Sequence, residues 1–322
     1  MKRILSGIQP SGTLHIGNYF GMMEKMIRHQ ESADLFCFIA NYHAMTTVQD
    51  GATLAKNTFD TAATFLALGI DPEKTTFWVQ SDIIEVQELT WVLSTITPMG
   101  LLERCHSYKD KVAKGIIASH GLFAYPVLMS ADILLYHSDV VPVGRDQKQH
   151  IEVARDLAIK FNNSFGETFT IPEPEIDESV AVIPGTDGQK MSKSYGNTID
   201  IFTTKKALKQ SVMSIVTDAS PIEAPKDPDK CNLYAIYRLF VSESEREAMR
   251  QRYLVGGLKY SDVKKELIEI IWNRFEPNRA RYEELSQNPE EIRKILKNGA
   301  EKARAVAGKT IADVRKRVGL AY

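Results

Sequence analysis

The sequence predicts an α/β protein: a doubly wound parallel sheet followed by a helical C-terminal domain. Three observations predict it. Short apolar runs lack polar alternation, amphipathic stretches separate them, and the last third turns to helical patterning throughout. A strand covered by helices on both faces has no solvent side, so its sequence loses the two-residue alternation of a half-exposed strand. RILSGI (3–8) is the first such run, and a Pro/Gly loop leads from it to a helical segment from about Asn18 to Gln30. DLFCFIA (34–40) and TTFWVQ (75–80) are the next two strands, with helical pattern between them. VVPVG (140–144) is a fourth, followed by a helix through about Lys160. After about Ile201 the character changes. SPIEAPKDPDK (220–230) is a polar, Pro-rich connection, and from Leu233 onward the pattern is helical. In the last helix Asn288 is placed to cap the N-terminus, with Pro289 at the first helical position and acidic residues after it.

A length of 322 residues exceeds what one core usually organises, so two domains are expected, 1–200 with a helical insertion and 201–322. Hydrophobic residues at 43% and charged residues at 25% are ordinary globular proportions, and a net charge of −1 excludes a global basic field. Cys37, Cys105 and Cys231 are far apart and form no CxxC, which excludes a disulfide framework and a zinc pattern and fits a reducing compartment. The N-terminus has no apolar run of signal-peptide length and no stretch reaches a membrane span, so the expectation is a soluble cytoplasmic protein with no membrane partner. The last helix is lopsided in charge: Arg293, Lys294, Lys297, Lys302, Arg304, Lys309, Arg315, Lys316 and Arg317 stand against Glu301 and Asp313. Such a stripe is most often a solvated face; a phosphate-contacting surface is the other interpretation.

Two segments carry chemistry. The first, SGIQPSGTLHIGN (6–18), joins a strand to a helix. Gly7, Gly12 and Gly17 let backbone approach a ligand, Pro10 stiffens the turn, and Gly17 and Asn18 are expected to open a helix whose N-terminal N–H groups attract phosphate. His15 and Asn18 are donors for phosphate or ribose oxygens. The segment is neither a dinucleotide-binding GxGxxG nor a P-loop. The second, Lys190-Met191-Ser192-Lys193-Ser194, lies in a Gly-flanked loop and reads as a cationic clamp or as an exposed turn. Asp132 stands out as well. If 126–136 is helical, its neighbours at three and four positions are Leu128, Met129, Leu135 and Tyr136, and a carboxylate on such an apolar face needs a donor.

Taken together, the His15 segment and the intact Lys190–Ser194 loop resemble the HIGH and KMSKS signatures of class I aminoacyl-tRNA synthetases, at their usual positions around a Rossmann domain. GIQPSGTLHIGNY (7–19) resembles the tryptophanyl-tRNA synthetases of bacterial type. The resemblance runs on through residues 41–46, 125–136, 141–150 and 214–218 and, more weakly, the final helix, so it covers nearly the whole chain. It implies ATP-dependent activation of L-tryptophan to tryptophanyl-adenylate and transfer to the 3′ adenosine of tRNA(Trp). Mg2+ is then held chiefly by the triphosphate, with no metal ligand from the protein. The family pattern also implies a homodimer with tRNA bound across both subunits and the C-terminal helices reading the anticodon.

The resemblance assigns residues. Lys190, Ser192, Lys193, His15 and Lys111 match the catalytic set, with Lys109 and Lys111 the family's lysine pair near the phosphates. Gln9, Pro10, Ser11, Gly17, Asn18, Gly144, Arg145, Asp146, Ile183, Met191 and Ser194 match the ATP site. Asp132 matches the acceptor of the indole N–H, Tyr125 and Gln147 the pair that holds the ammonium group, Met129, Val141 and Val143 the pocket wall, and His43 a residue beside the substrate. Leu5 stands where many members have Phe, Arg145 stands at a commonly acidic position, and the interval from Ile183 to the KMSKS loop is shorter than in many relatives. The rivals are a tyrosyl-tRNA synthetase, a non-charging paralogue that binds tryptophan and ATP, and a nucleotidyltransferase acting on another substrate. Gln9-Pro10-Ser11, the intact KMSKS loop and Asn18 respectively argue against them.

Overall fold

The computed structural model describes residues 1–105, 109, 119–176 and 183–322, the side chain of Asp146 excepted. The chain forms two compact units, each assembled from separate stretches. Met1–Gly12, Met26–Asp177 and Leu285–Tyr322 make the first, and Thr13–Lys25 and Glu178–Glu284 make the second. Compactness therefore divides the chain differently from a single cut at residue 200, because the final helix belongs with the α/β unit and the His15 segment with the other.

The first unit holds, among the described residues, a five-stranded sheet in the order β3-β2-β1-β4-β5. Its strands are β1 Arg3–Ile8, β2 Asp34–Ile39, β3 Thr75–Val79, β4 Val140–Pro142 and β5 Glu173–Glu175, and every pairing is parallel. The four apolar runs are the first four strands. β5 has no apolar signal: Glu-Pro-Glu pairs on one side only, and an edge strand tolerates both Pro and charge. Strand order reverses between β1 and β4, which opens a crevice beyond their carboxyl ends.

The core of this unit is aromatic. Trp78 stacks on Phe38 with ring centres 5.4 Å apart and meets Tyr136 edge-on at 5.0 Å. The final helix, Pro289–Arg317, buries Ala300, Ala303, Ala307, Ile311 and Val314 in the same cluster. Gly299 lets this helix reach the sheet, since a Cβ there would lie 1.7 Å from the Phe77 carbonyl oxygen. Asn288 precedes the helix as expected, but its amide donates to Glu291 Oε2 (3.2 Å) and makes no cap bond.

In the second unit the segment expected as one helix from Asn18 starts earlier and is uneven. A turn of α-helix at Ile16–Asn18 runs into a wider π turn at Tyr19–Met23. Tyr19 and Phe20 pack edge-on against Phe275 (5.1 Å) and Phe240 (4.9 Å), and such packing requires ring positions that regular spacing does not give. Helix Lys205–Met213 packs on helix Tyr260–Arg274, where buried Lys264 donates to the carbonyls of Met213 (2.9 Å) and Ile215 (2.7 Å).

Candidate active site

In the first unit the strand ends supply the site. After β1, the Ser11 N–H donates to the Gln9 carbonyl (2.9 Å), and Gly12 closes the turn with φ 113°, in the left-handed region. Pro10 is buried while Gln9 and Ser11 are exposed. β2 leads into a helical turn, Asn41–Ala44, that carries buried His43. β3 leads into the 3-10 turn Gln80–Asp82. These two ends are clipped together: Asn41 Nδ2 donates to Ser81 Oγ (2.7 Å) and Ser81 N–H donates to Asn41 Oδ1 (3.1 Å). β4 leads through Val143 and exposed Gly144 to a turn at Arg145–Gln147, which places Gln147 and Arg145 at the crevice rim.

Helix His120–Leu134 crosses this region, with Ser119 Oγ capping it by accepting from Leu122 N–H (3.2 Å). Tyr125, Met129 and Asp132 are spaced i, i+4, i+7 and so share one face. Asp132 is only 3% exposed. His43 Nε2 donates to its Oδ2 (2.8 Å), and Gln80 Nε2 reaches both carboxylate oxygens at 2.8 Å. The donor that the sequence argument demanded is therefore double, and both halves are side chains rather than a backbone cap. Tyr125 bonds His150 Nε2 through its hydroxyl (2.6 Å) and meets the His43 ring edge-on at 6.2 Å. Leu5 and Val141 are buried in the surrounding cluster, with Met129 and Val143 packed half-buried against it.

In the second unit His15 immediately precedes the first helical turn, makes no side-chain cap bond and is 6% exposed. Its own N–H donates to Asn18 Oδ1 (3.0 Å), so part of Asn18 is committed to backbone. His15 and Asp200 form a backbone bridge, and Ile16 N–H donates to the Ile199 carbonyl (2.9 Å), which ties the signature to the end of the KMSKS segment. Gly17 is required by closeness: a Cβ would lie 2.9 Å from His15 Nδ1 and 3.3 Å from Met191 Cβ. Burial, and then the Lys193 charge, lower the His15 pKa to about 4, so the imidazole is neutral at physiological pH, with Nδ1 buried and unpaired. Burial also lowers the Lys193 pKa, and the Asp200 carboxylate offsets part of that. Met191 is buried, its N–H bonded to the Ile183 carbonyl (2.8 Å), while Lys190 and Ser194 are exposed and Ser192 and Lys193 half-exposed. The result is a hairpin-like loop that presents two ammonium groups and two hydroxyls around a neutral histidine. That donor set suits a polyanion.

Against this geometry stand the comparisons with known proteins. Residues 1–276 match the family of class I tRNA synthetases for tryptophan and tyrosine (W and Y). The chain belongs to that family. It is 55% identical to the tryptophan–tRNA ligase of Campylobacter jejuni over 318 residues, covering 99% of this chain and 100% of the relative. It is 53% identical to that of Fusobacterium nucleatum over 321 residues, covering 99% and 98%. The crystal structure of the Campylobacter jejuni tryptophanyl-tRNA synthetase complexed with ADP and tryptophan superposes with a TM-score of 0.93 at 55% identity, covering 98% of this chain and 99% of that one.

Lys111 and the Asp146 side chain lie outside the described residues; Lys109 is exposed. Sequence reasoning missed Gln80 and Asn197. Asn197 accepts from Ser192 N–H (2.8 Å) and donates to Asp187 Oδ1 (2.7 Å) and the Lys190 carbonyl (3.1 Å), which fixes the KMSKS loop from inside. The available signal for Gln80 was its place: a polar residue ending an apolar parallel strand points at the crevice. Asn197 gave no signal apart from its nearness to the loop. No cluster of three or more His, Cys, Asp or Glu that could hold a metal occurs among the described residues.

Proposed function

We propose that the chain is a tryptophan–tRNA ligase. It activates L-tryptophan with ATP to tryptophanyl-adenylate and transfers the acyl group to the 3′ adenosine of tRNA(Trp). The observation that carries the choice of amino acid is Asp132, a buried carboxylate on an apolar wall held by two side-chain donors. A carboxylate in that setting has a further lone pair for an indole N–H and leaves that lone pair without a donor against phenylalanine, a penalty that supports discrimination of about 10⁴ or more. Membership of the family and 55% identity to a named tryptophan–tRNA ligase over its whole length support the same activity.

Adenylate formation is attack of the tryptophan carboxylate on the α-phosphorus of ATP with loss of pyrophosphate, which needs positioning and charge neutralisation more than covalent help. Lys190, Lys193 and Lys111 neutralise the leaving pyrophosphate, and Ser192 donates a hydroxyl hydrogen bond to it. Neutral His15 donates to phosphate without attracting a proton from solvent. Gln9, Pro10, Ser11, Gly17, Asn18, Gly144, Arg145, Asp146, Ile183, Met191 and Ser194 cradle the rest of the nucleotide. Tyr125 and Gln147 hold the ammonium group, His43 stands beside the substrate, and Met129, Val141 and Val143 line the indole. The loop's ammonium and hydroxyl groups fit a triphosphate, and Mg2+ enters on that triphosphate.

We assign a homodimer. Ile84 (70% exposed) and Trp91 (71%) lie seven residues apart on one face of the segment leading through helix Glu85–Ile96, an apolar surface suited to a second copy. The region from 201 onward binds tRNA. No helix among the described residues is long and apolar enough to cross a membrane, which is compatible with a cytoplasmic setting.

The deciding experiment is amino-acid-dependent ATP–pyrophosphate exchange across all twenty amino acids with Mg2+, followed by charging of tRNA(Trp). Exchange with tryptophan alone is expected. Exchange with tyrosine moves the assignment to the tyrosyl enzyme, and none from folded protein points to a non-charging paralogue.

A further inference from the structure

We infer that Gln80 is a specificity-determining positioning residue, which holds Asp132 as a correctly aimed acceptor for the indole N–H. The inference rests on the tryptophan assignment above.

Gln80 is 2% exposed, yet it lies one residue past β3, at a position where packing alone favours an apolar side chain. Both ends of its amide are spoken for. Tyr42 N–H donates to Gln80 Oε1 (3.0 Å), and this settles which way the amide faces: the NH2 group must point at Asp132. There Nε2 sits 2.8 Å from both carboxylate oxygens, while His43 Nε2 donates to Oδ2 alone. A buried carboxylate free to rotate about its terminal torsion would offer an indole no fixed lone pair, and that torsion is intrinsically soft. Gln80 straddles the two oxygens and pins the plane. The glutamine is in turn held by backbone of the β2 end, which the Asn41–Ser81 pair clips to the β3 end. Selectivity for an N–H thus rests on a chain running from Tyr42 backbone through Gln80 to Asp132.

The test compares tryptophan with β-(benzothien-3-yl)alanine, in which sulfur replaces the indole N–H at nearly constant shape, in ATP–pyrophosphate exchange. Gln80→Met keeps length and loses all three hydrogen bonds. It is expected to lower the ratio of the two kcat/KM values about 10- to 100-fold, with the KM for ATP unchanged within about twofold. Gln80→Glu sets a second carboxyl against Asp132, and the like charge pushes the second ionisation of the pair to higher pH. The pair holds its proton at low pH, where the new carboxyl can donate as the amide did. Selectivity of this variant should therefore rise as pH falls from 8 to 6, while that of the parent protein stays flat. An unchanged ratio in Gln80→Met, or equal losses for both substrates, overturns the inference, as does a flat pH profile in folded Gln80→Glu. A parent protein that does not activate tryptophan overturns the assignment itself, and this inference with it.

Discussion

Asp132 and His15 are both buried polar groups, and their surroundings dispose of them in opposite ways. Asp132 keeps two side-chain donors, Gln80 and His43, and remains an acceptor. Replacing it with asparagine keeps the shape but loses the charge and turns one lone-pair site into a donor. Asp132→Asn is expected to lower kcat/KM for tryptophan about 10- to 100-fold, the size of a charge-assisted hydrogen bond, and to narrow the gap to phenylalanine. Steady-state exchange kinetics with both amino acids check this. His15 instead lies in a place where protonation is penalised. Its pKa is near 6.5 in an unfolded chain and about 4 here, so between those values the unfolded state binds more protons. Stability from this group is complete above pH 6.5 and is lost as pH falls through about 4, by at most about 3 kcal/mol. Urea unfolding between pH 4 and 7 should show that slope, and His15→Gln should flatten it.

At the scale of elements, two close approaches decide function and stability. The KMSKS loop owes its shape to Asn197, whose amide joins the Ser192 and Lys190 backbone to Asp187. In the proposed activation step, lysines on a loosened loop meet the leaving pyrophosphate less often and in poorer geometry. Asn197→Ala is expected to lower kcat of activation about 10- to 100-fold, with KM for tryptophan held within about twofold. Single-turnover adenylate formation separates the two. The second approach is Gly299 on Phe77. An added methyl lies 1.7 Å from a backbone oxygen, which cannot swing aside as a side chain can. Gly299→Ala should destabilise the first unit by about 3 kcal/mol, read as a lower urea midpoint with tryptophan binding kept in the folded fraction.

At the scale of the whole molecule, the basic final helix has a structural use that composition concealed. Arg315 pairs with Glu88 (2.8 Å at its Nη2), Arg304 donates to the Asp82 carbonyl, and Lys302 donates to the Pro72 carbonyl (3.1 Å). These contacts bind the helix to the first unit, as the solvated-face interpretation did not foresee. Lys294, Lys297, Lys309 and Lys316 are exposed. The apolar face at Ile84 and Trp91 gives a sharper expectation. On the proposed dimer, Trp91→Glu is expected to shift sedimentation velocity from dimer to monomer and to depress charging of tRNA.

Sequence by itself determined the four apolar strands, the helical last third and the two loop segments that resemble the family signatures, because these are local. Burial on both faces writes itself as an unbroken apolar run, and a backbone that must approach a ligand writes itself as glycine. Asp132 was legible in the same way, as a charge in the wrong company. Only the tertiary structure decided the rest. β5 is a strand because β4 offers it an edge, the residues 16–23 bend to suit Phe240 and Phe275, and the final helix completes a unit whose sheet begins nearly three hundred residues earlier in the chain. Gln80 and Asn197 acquire meaning from partners 52 residues away and from loop backbone respectively. A hydrogen bond depends on distance and direction in space, and neither is encoded by the identity of an amide in a row of letters.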